Sequence, residues 1–211
     1  MKPGVSLPHA FATTRDGEAT QDADELCGLV FEAIDETLGR TGERVGEIAG
    51  VATSTFWHSL LGVDRRGAPT TPVLTWADRR AADAASELRE RLNEAIIHQS
   101  TGCVLHSSYW PAKLLWLSRS HPEAFESGER WISPGEYLHF KLFGEARAST
   151  SMAASTGLFD QNREVWDGEV LRALPVGEEQ LSHISDEPAR GLRGSGRGVG
   201  HRSLRFRGSR R

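Results

Sequence analysis

The spacing of apolar positions along the chain switches between the period of a strand and that of a helix. Residues 4–12, GVSLPHAFA, alternate loosely, as a short strand does. After the turn RDGEATQD, Leu26, Leu29, Val30, Ala33, Ile34 and Leu38 recur at helical spacing. Asp22 with Glu25 fits a capping box with Asp in the place of Ser or Thr, and Gly39 stands where a C′ residue belongs. EIAGVATSTF, residues 47–56, is a candidate buried strand. SLLGVD with RRGAP reads as a strand and turn, and PVLTW as another strand. The pattern then predicts a helix from about Asp78 to Ile97, with Ala81, Ala85, Leu88, Leu92 and Ile96 on one face.

The second half reads as mostly helical. Pro111 begins a helix carrying Leu114, Leu115 and Leu117. In SPGEYLHFKLFG, Ser133 is the N-cap, Pro134 the first helical residue, Glu136 the partner in a capping box and Gly144 the stop. Asp167 caps GEVLRAL, which ends at Pro175. Strands alternating with helices, then a helical insertion, predict an α/β fold with an at least partly parallel sheet.

Composition adds to this. Charged residues make up 26% of the 211 residues and the mean hydropathy is -0.43, as in a soluble globular protein. No apolar run approaches the roughly 18–20 residues of a membrane span. The opening residues lack a signal-peptide h-region, so the expected location is the cytoplasm, with no membrane partner. Cys27 and Cys103 match no zinc or redox spacing and are expected as free, buried thiols. The net charge of -4 hides an asymmetry: from Arg190 onward there are eight arginines and no acid, so the body is more acidic by that amount. Residues 188–211 are expected to be a disordered Arg/Gly-rich tail, since they hold too little apolar surface to offset the entropy of ordering.

Several chemistries are absent from the sequence. There is no G-x-x-x-x-G-K-[ST] phosphate loop, no G-x-S-x-G elbow and no H-E-x-x-H pair. Polar and aromatic residues instead gather where elements end: FWHS (56–59), WADRR (76–80), HSSYWPAK (106–113) and STSMAASTG (149–157). Indole faces beside carboxylates and guanidiniums suit a polyhydroxylated ligand, the rings covering C–H faces and the charged forks bonding hydroxyls or a carboxylate. Taken singly, each has a plainer explanation: Trp57 and Trp76 as core, His58 as a satisfied buried histidine, Asp78 as a helix cap with Arg79 and Arg80 in water.

Three blocks, TSTFWHSLLGVDRRGAPTTPVLTWADRRAA, STGCVLHSSYWPAKLLWL and EYLHFKLFGEARASTSMAASTGLFD, resemble the N-terminal domain of FGGY carbohydrate kinases, in the gluconate-kinase-like branch. The likeness spans roughly residues 4–187, and the domain is assigned residues 1–187. It implies a ribonuclease-H-like, actin-like ATPase fold and transfer of the γ-phosphate of ATP, with Mg²⁺, to a hydroxyl of a sugar or sugar acid such as gluconate. It also implies sugar contacts at Trp57, His58, Trp76, Asp78, Arg80 and Tyr109. The family's D-x-G-T/S phosphate turn and its catalytic Asp segment have no counterpart here. The expectation is therefore a chain truncated at both ends, binding no ATP or Mg²⁺, inactive alone and completed by a separate C-terminal kinase domain. The rival readings are a fragment without catalysis or a nucleic-acid binder acting through the tail. Against the latter stand the tail's single aromatic, Phe206, and the acidic body.

Overall fold

The computed structural model describes residues 4–189; the Arg/Gly-rich run from Arg190 onward lies outside the described residues. In chain order the strands are β1 (Ala12–Thr13), β2 (Ala19–Gln21), β3 (Leu61–Val63), β4 (Val73–Leu74), β5 (Arg130–Ile132), β6 (Arg147–Ala148), β7 (Phe159–Asp160), β8 (Val165–Trp166) and β9 (His183–Ile184). The helices are α1 (Ala23–Thr41), α2 (Ala82–Arg91), α3 (Glu94–Thr101), α4 (Trp110–Ser120), α5 (Pro122–Ser127), α6 (Pro134–Phe143), α7 (Thr150–Ala154) and α8 (Gly168–Arg172).

The predicted N-caps all act as caps, although at α1 only the Asp22 half of the expected capping box forms. The Asp22 side chain accepts from Glu25 N at 2.8 Å and starts α1. Ser133 and Glu136 form the reciprocal capping box of α6, which ends at the left-handed Gly144. Asp167 accepts from Glu169 N and Val170 N to start α8. Two details differ. Gly39 lies inside α1, which runs on to Gly42, whose φ of 60° only glycine adopts readily. The helix expected over 78–97 is two helices, because Leu92 leaves helical geometry and Asn93 caps a new one by accepting from Ala95 N and Ile96 N.

The sheets are short. β1, β2 and β4 form one antiparallel sheet, with Thr20 opposite Leu74, and β3 pairs antiparallel with β5, with Gly62 opposite Trp131. The Leu60–Leu74 bridge joins the two. Among the described residues, parallel pairing is confined to β6 with β9; the other named pairings are antiparallel, against the partly parallel sheet expected. The strand expected over 47–56 is absent, and so is most of that over 4–12. Residues 48–56 pair with no strand among the described residues, and 48–54 are exposed, Val51 at 82%. In 4–12, Pro8 removes a ladder donor and only Ala12 pairs.

The larger core packs α2 and α4 under β4, around Leu60, Leu74, Leu88, Trp110, Leu114 and Trp131. A smaller one sits between α1 and α6, around Cys27, Leu61, Val73, Ile132 and Tyr137. Beside it an apolar groove of about 640 Å³ remains open, walled by Leu26, Leu29, Val30, Ile34, Val51 and Leu142. Among the described residues no helix is long and apolar enough to cross a membrane.

Candidate functional site

The Leu60–Leu74 bridge joins the residue before β3 to β4, and the two chain ends that leave it carry Trp57–His58 and Thr75–Trp76. Trp57 and Trp76 are half open to solvent, at 56% and 54%. His58 sits between them and the interior with a φ of 62°, a conformation that costs a non-glycine residue about 1 kcal/mol or more. Its Nδ1 bonds with the Ser155 carbonyl, and its ring meets Tyr109 edge to face at 4.4 Å. Tyr109 is the residue before α4, and it approaches α7 because Gly157, at φ 80°, has no Cβ to meet the Tyr109 Cβ at 3.3 Å. Trp110 fastens the same corner by donating from N to Thr156 O at 3.0 Å and from Nε1 to Ser59 O at 3.2 Å.

Asp78 is buried and its carboxylate is fully engaged. It accepts from Ala19 N at 3.2 Å, from Arg80 N at 3.1 Å, and from the Arg80 guanidinium at 2.7 Å through Nη2. Arg80 in turn lies over the Trp116 ring at 4.6 Å and faces Glu18 at 3.5 Å. The plainer alternative for these residues does not hold: α2 begins at Ala82 with Ala81 as its cap, and the Arg80 side chain is only 15% exposed.

One residue of the site escapes sequence reasoning. Lys113 on α4 is fully buried, and its Nζ donates to the carbonyls of His58, Leu74 (3.3 Å) and Thr75 (2.9 Å). Its signal was a lone cation inside the apolar PAKLLWL. Burial pushes its ammonium down to about 7, and the nearby Asp78 carboxylate pulls the other way. Burial also holds the His58 imidazole below its usual range, the Ser155 carbonyl opposing and the Lys113 charge adding to the effect. Tyr109 shares a hydrogen bond with Cys103, and burial raises both groups. Cys27 and Cys103 are free and buried, as their spacing implies.

Thus His58, Tyr109 and Lys113 meet, Thr75 joins them through its carbonyl, and Asp78 and Arg80 pair with each other. Trp57 stands 6.3 Å from His58, ring to ring, and also rims a polar cavity of about 610 Å³ lined by Ser149, Ser151, Arg147 and Asp186. That cavity does not include Trp76, Asp78, Arg80 or Tyr109.

Comparison with known proteins places the chain in a family. Residues 5–189 match the N-terminal domain of the FGGY family of carbohydrate kinases. This chain belongs to that family. Gluconokinase of Bacillus subtilis is 28% identical over 181 residues, 85% of this chain and 34% of the relative. Xylulose kinase of Streptomyces coelicolor is 32% identical over 155 residues, 73% of this chain and 32% of the relative. The crystal structure of gluconate kinase from Lactobacillus acidophilus superposes with a TM-score of 0.80 at 31% identity, over 86% of this chain and 36% of that one. The fold is accordingly the actin-like one of the FGGY sugar kinases. The chain spans about a third of the length of the curated relatives it matches.

FGGY kinases use ATP, typically with Mg²⁺. The polar cavity suits that pair poorly. The polar cavity offers one arginine, Arg147, already held by Glu145 at 2.7 Å, and it faces Glu136, Asp186 and Glu187, which repel phosphate. Among the described residues no group of three or more His, Cys, Asp or Glu is placed to hold a metal ion.

Proposed function

We propose that these residues form the substrate-holding face of a cytoplasmic carbohydrate kinase whose acceptor is a sugar or a sugar acid of the gluconate type. The observation that carries the reading is the pair of chain ends that part at the Leu60–Leu74 bridge. There half-exposed Trp57 stands beside His58, whose ring meets Tyr109, and half-exposed Trp76 leads the other chain end away. Rings of this kind cover the C–H faces of a polyol, while the imidazole and phenol bond its hydroxyls. In this reading Trp57, His58, Trp76 and Tyr109 touch the ligand. Asp78 and Arg80 serve it from below, the carboxylate holding the turn that presents Trp76 and the guanidinium holding that carboxylate in place. The gluconokinase relatives favour the sugar acid, and the two free thiols suit a reducing compartment.

Titration calorimetry with gluconate, xylulose and glycerol tests this. Gluconate should bind most tightly, and Trp57→Ala and Trp76→Ala should each weaken it by about tenfold, as truncating an aromatic anchor does. Binding that is indifferent to both substitutions would remove the reading. Since the polar cavity suits ATP and Mg²⁺ poorly, the chain alone should transfer no phosphate to these sugars above background. Transfer is expected only when a separate kinase domain supplies that cradle, and substrate-dependent ADP release by the purified chain would contradict it.

A further inference from the structure

Past the Leu60–Leu74 rung, among the described residues, no backbone hydrogen bond joins residues 57–59 to residues 75–77. A single side chain from a third element crosses the gap. Lys113 reaches His58 O on one chain end and Leu74 O and Thr75 O on the other. An ammonium has three protons, and three carbonyl oxygens meet them. The neighbours of Lys113 on α4 are Trp110, Leu114, Leu115 and Leu117, all buried, and a residue kept only for packing there would be apolar. A buried cation is costly, and it is costlier still if its protons are unmet. Tyr109 caps the start of its own helix, and the Tyr109 carbonyl accepts from Lys113 N at 3.4 Å. The left-handed His58 is thus held at its carbonyl by Lys113 and at its ring by the Ser155 carbonyl.

We infer that Lys113 is a positioning residue: it fixes the Trp57–His58 and Thr75–Trp76 chain ends against each other and against Tyr109, and so sets the affinity of the sugar site without touching the ligand. The statement about affinity rests on the sugar-site reading; the statement about the chain ends stands without it.

The test compares the full chain with Lys113→Met by amide hydrogen exchange and by gluconate calorimetry. Helical circular dichroism and protection of Leu60 and Leu74 should persist. Exchange at Thr75 and Asp78, whose N–H groups bond Ala19 O and Thr75 O, should rise by about tenfold or more, the worth of a hydrogen bond to a charged group, and gluconate affinity should fall by a similar factor. Unchanged exchange at those residues would overturn the inference. Faster exchange with unchanged gluconate affinity would also overturn it, since the bonds would then be merely structural. If wild type binds no gluconate, the sugar reading fails, and exchange alone decides whether Lys113 fixes the chain ends. If Lys113→Met does not fold, scalar couplings across the bonds from Nζ to the three carbonyls in labelled wild-type protein decide: their presence supports the clamp and their absence refutes it.

Discussion

His58 combines a strained backbone, a half-buried ring and a cation nearby, and each acts against its protonation or its ease of replacement. Its imidazole should therefore titrate below the usual 6.5. The unfolded chain takes up the proton first, so the stability His58 contributes is present above pH 6.5 and is lost as the pH falls toward its folded value. Proton NMR of the His58 ring should give the depressed midpoint, and Lys113→Met should move it upward by removing a positive neighbour. A midpoint at or above 6.5 in wild type would mean that the ring is solvated and the pocket beside Tyr109 is open.

At the scale of elements, the break between α2 and α3 depends on Asn93, which satisfies two of the first free N–H groups of α3. Asn93→Ala should lower stability by about 1 kcal/mol, read from the denaturant midpoint, with the slope unchanged. No shift would show that packing of Ile97 alone holds the helix. Helix starts were legible in the sequence because a cap is a local event: Asp22, Ser133 and Asp167 sit within three residues of the groups they satisfy. The strands were less legible because pairing joins distant residues. IAGVATSTF has the composition of a strand, yet it lacks a neighbour among the described residues. The site divides the same way. The aromatic residues at element ends were readable as candidates. That Asp78 is consumed by Arg80 and Ala19, and that Lys113 reaches three carbonyls up to 55 residues away in sequence, depends on tertiary packing that no spacing encodes.

Across the whole molecule, the open apolar groove between α1 and α6 adjoins an uncharged, unpaired run whose Ile48 and Val51 face solvent at 46% and 82%. Exposed backbone beside exposed apolar side chains is a template for strand pairing between molecules. The acidic body works against this by mutual repulsion, which salt screens. Self-association should thus increase with ionic strength, and Val51→Lys should suppress it without lowering the unfolding midpoint. Sedimentation velocity at low and high salt checks both. A monomer at every salt concentration would show that the run is covered in solution.

The placement of the six tryptophans also has an optical consequence. Trp110, Trp131 and Trp166 are buried and Trp116 lies beneath Arg80, so their emission is blue and shielded. Trp57 and Trp76 emit from water and supply the red edge of the spectrum. A neutral quencher such as acrylamide reaches those two first, while iodide is held off by the negative surface. The two indoles proposed to touch the sugar are thus the two whose light can be selectively extinguished. An acceptor seated between them would announce itself as lost quenching and a blue shift, with no label attached.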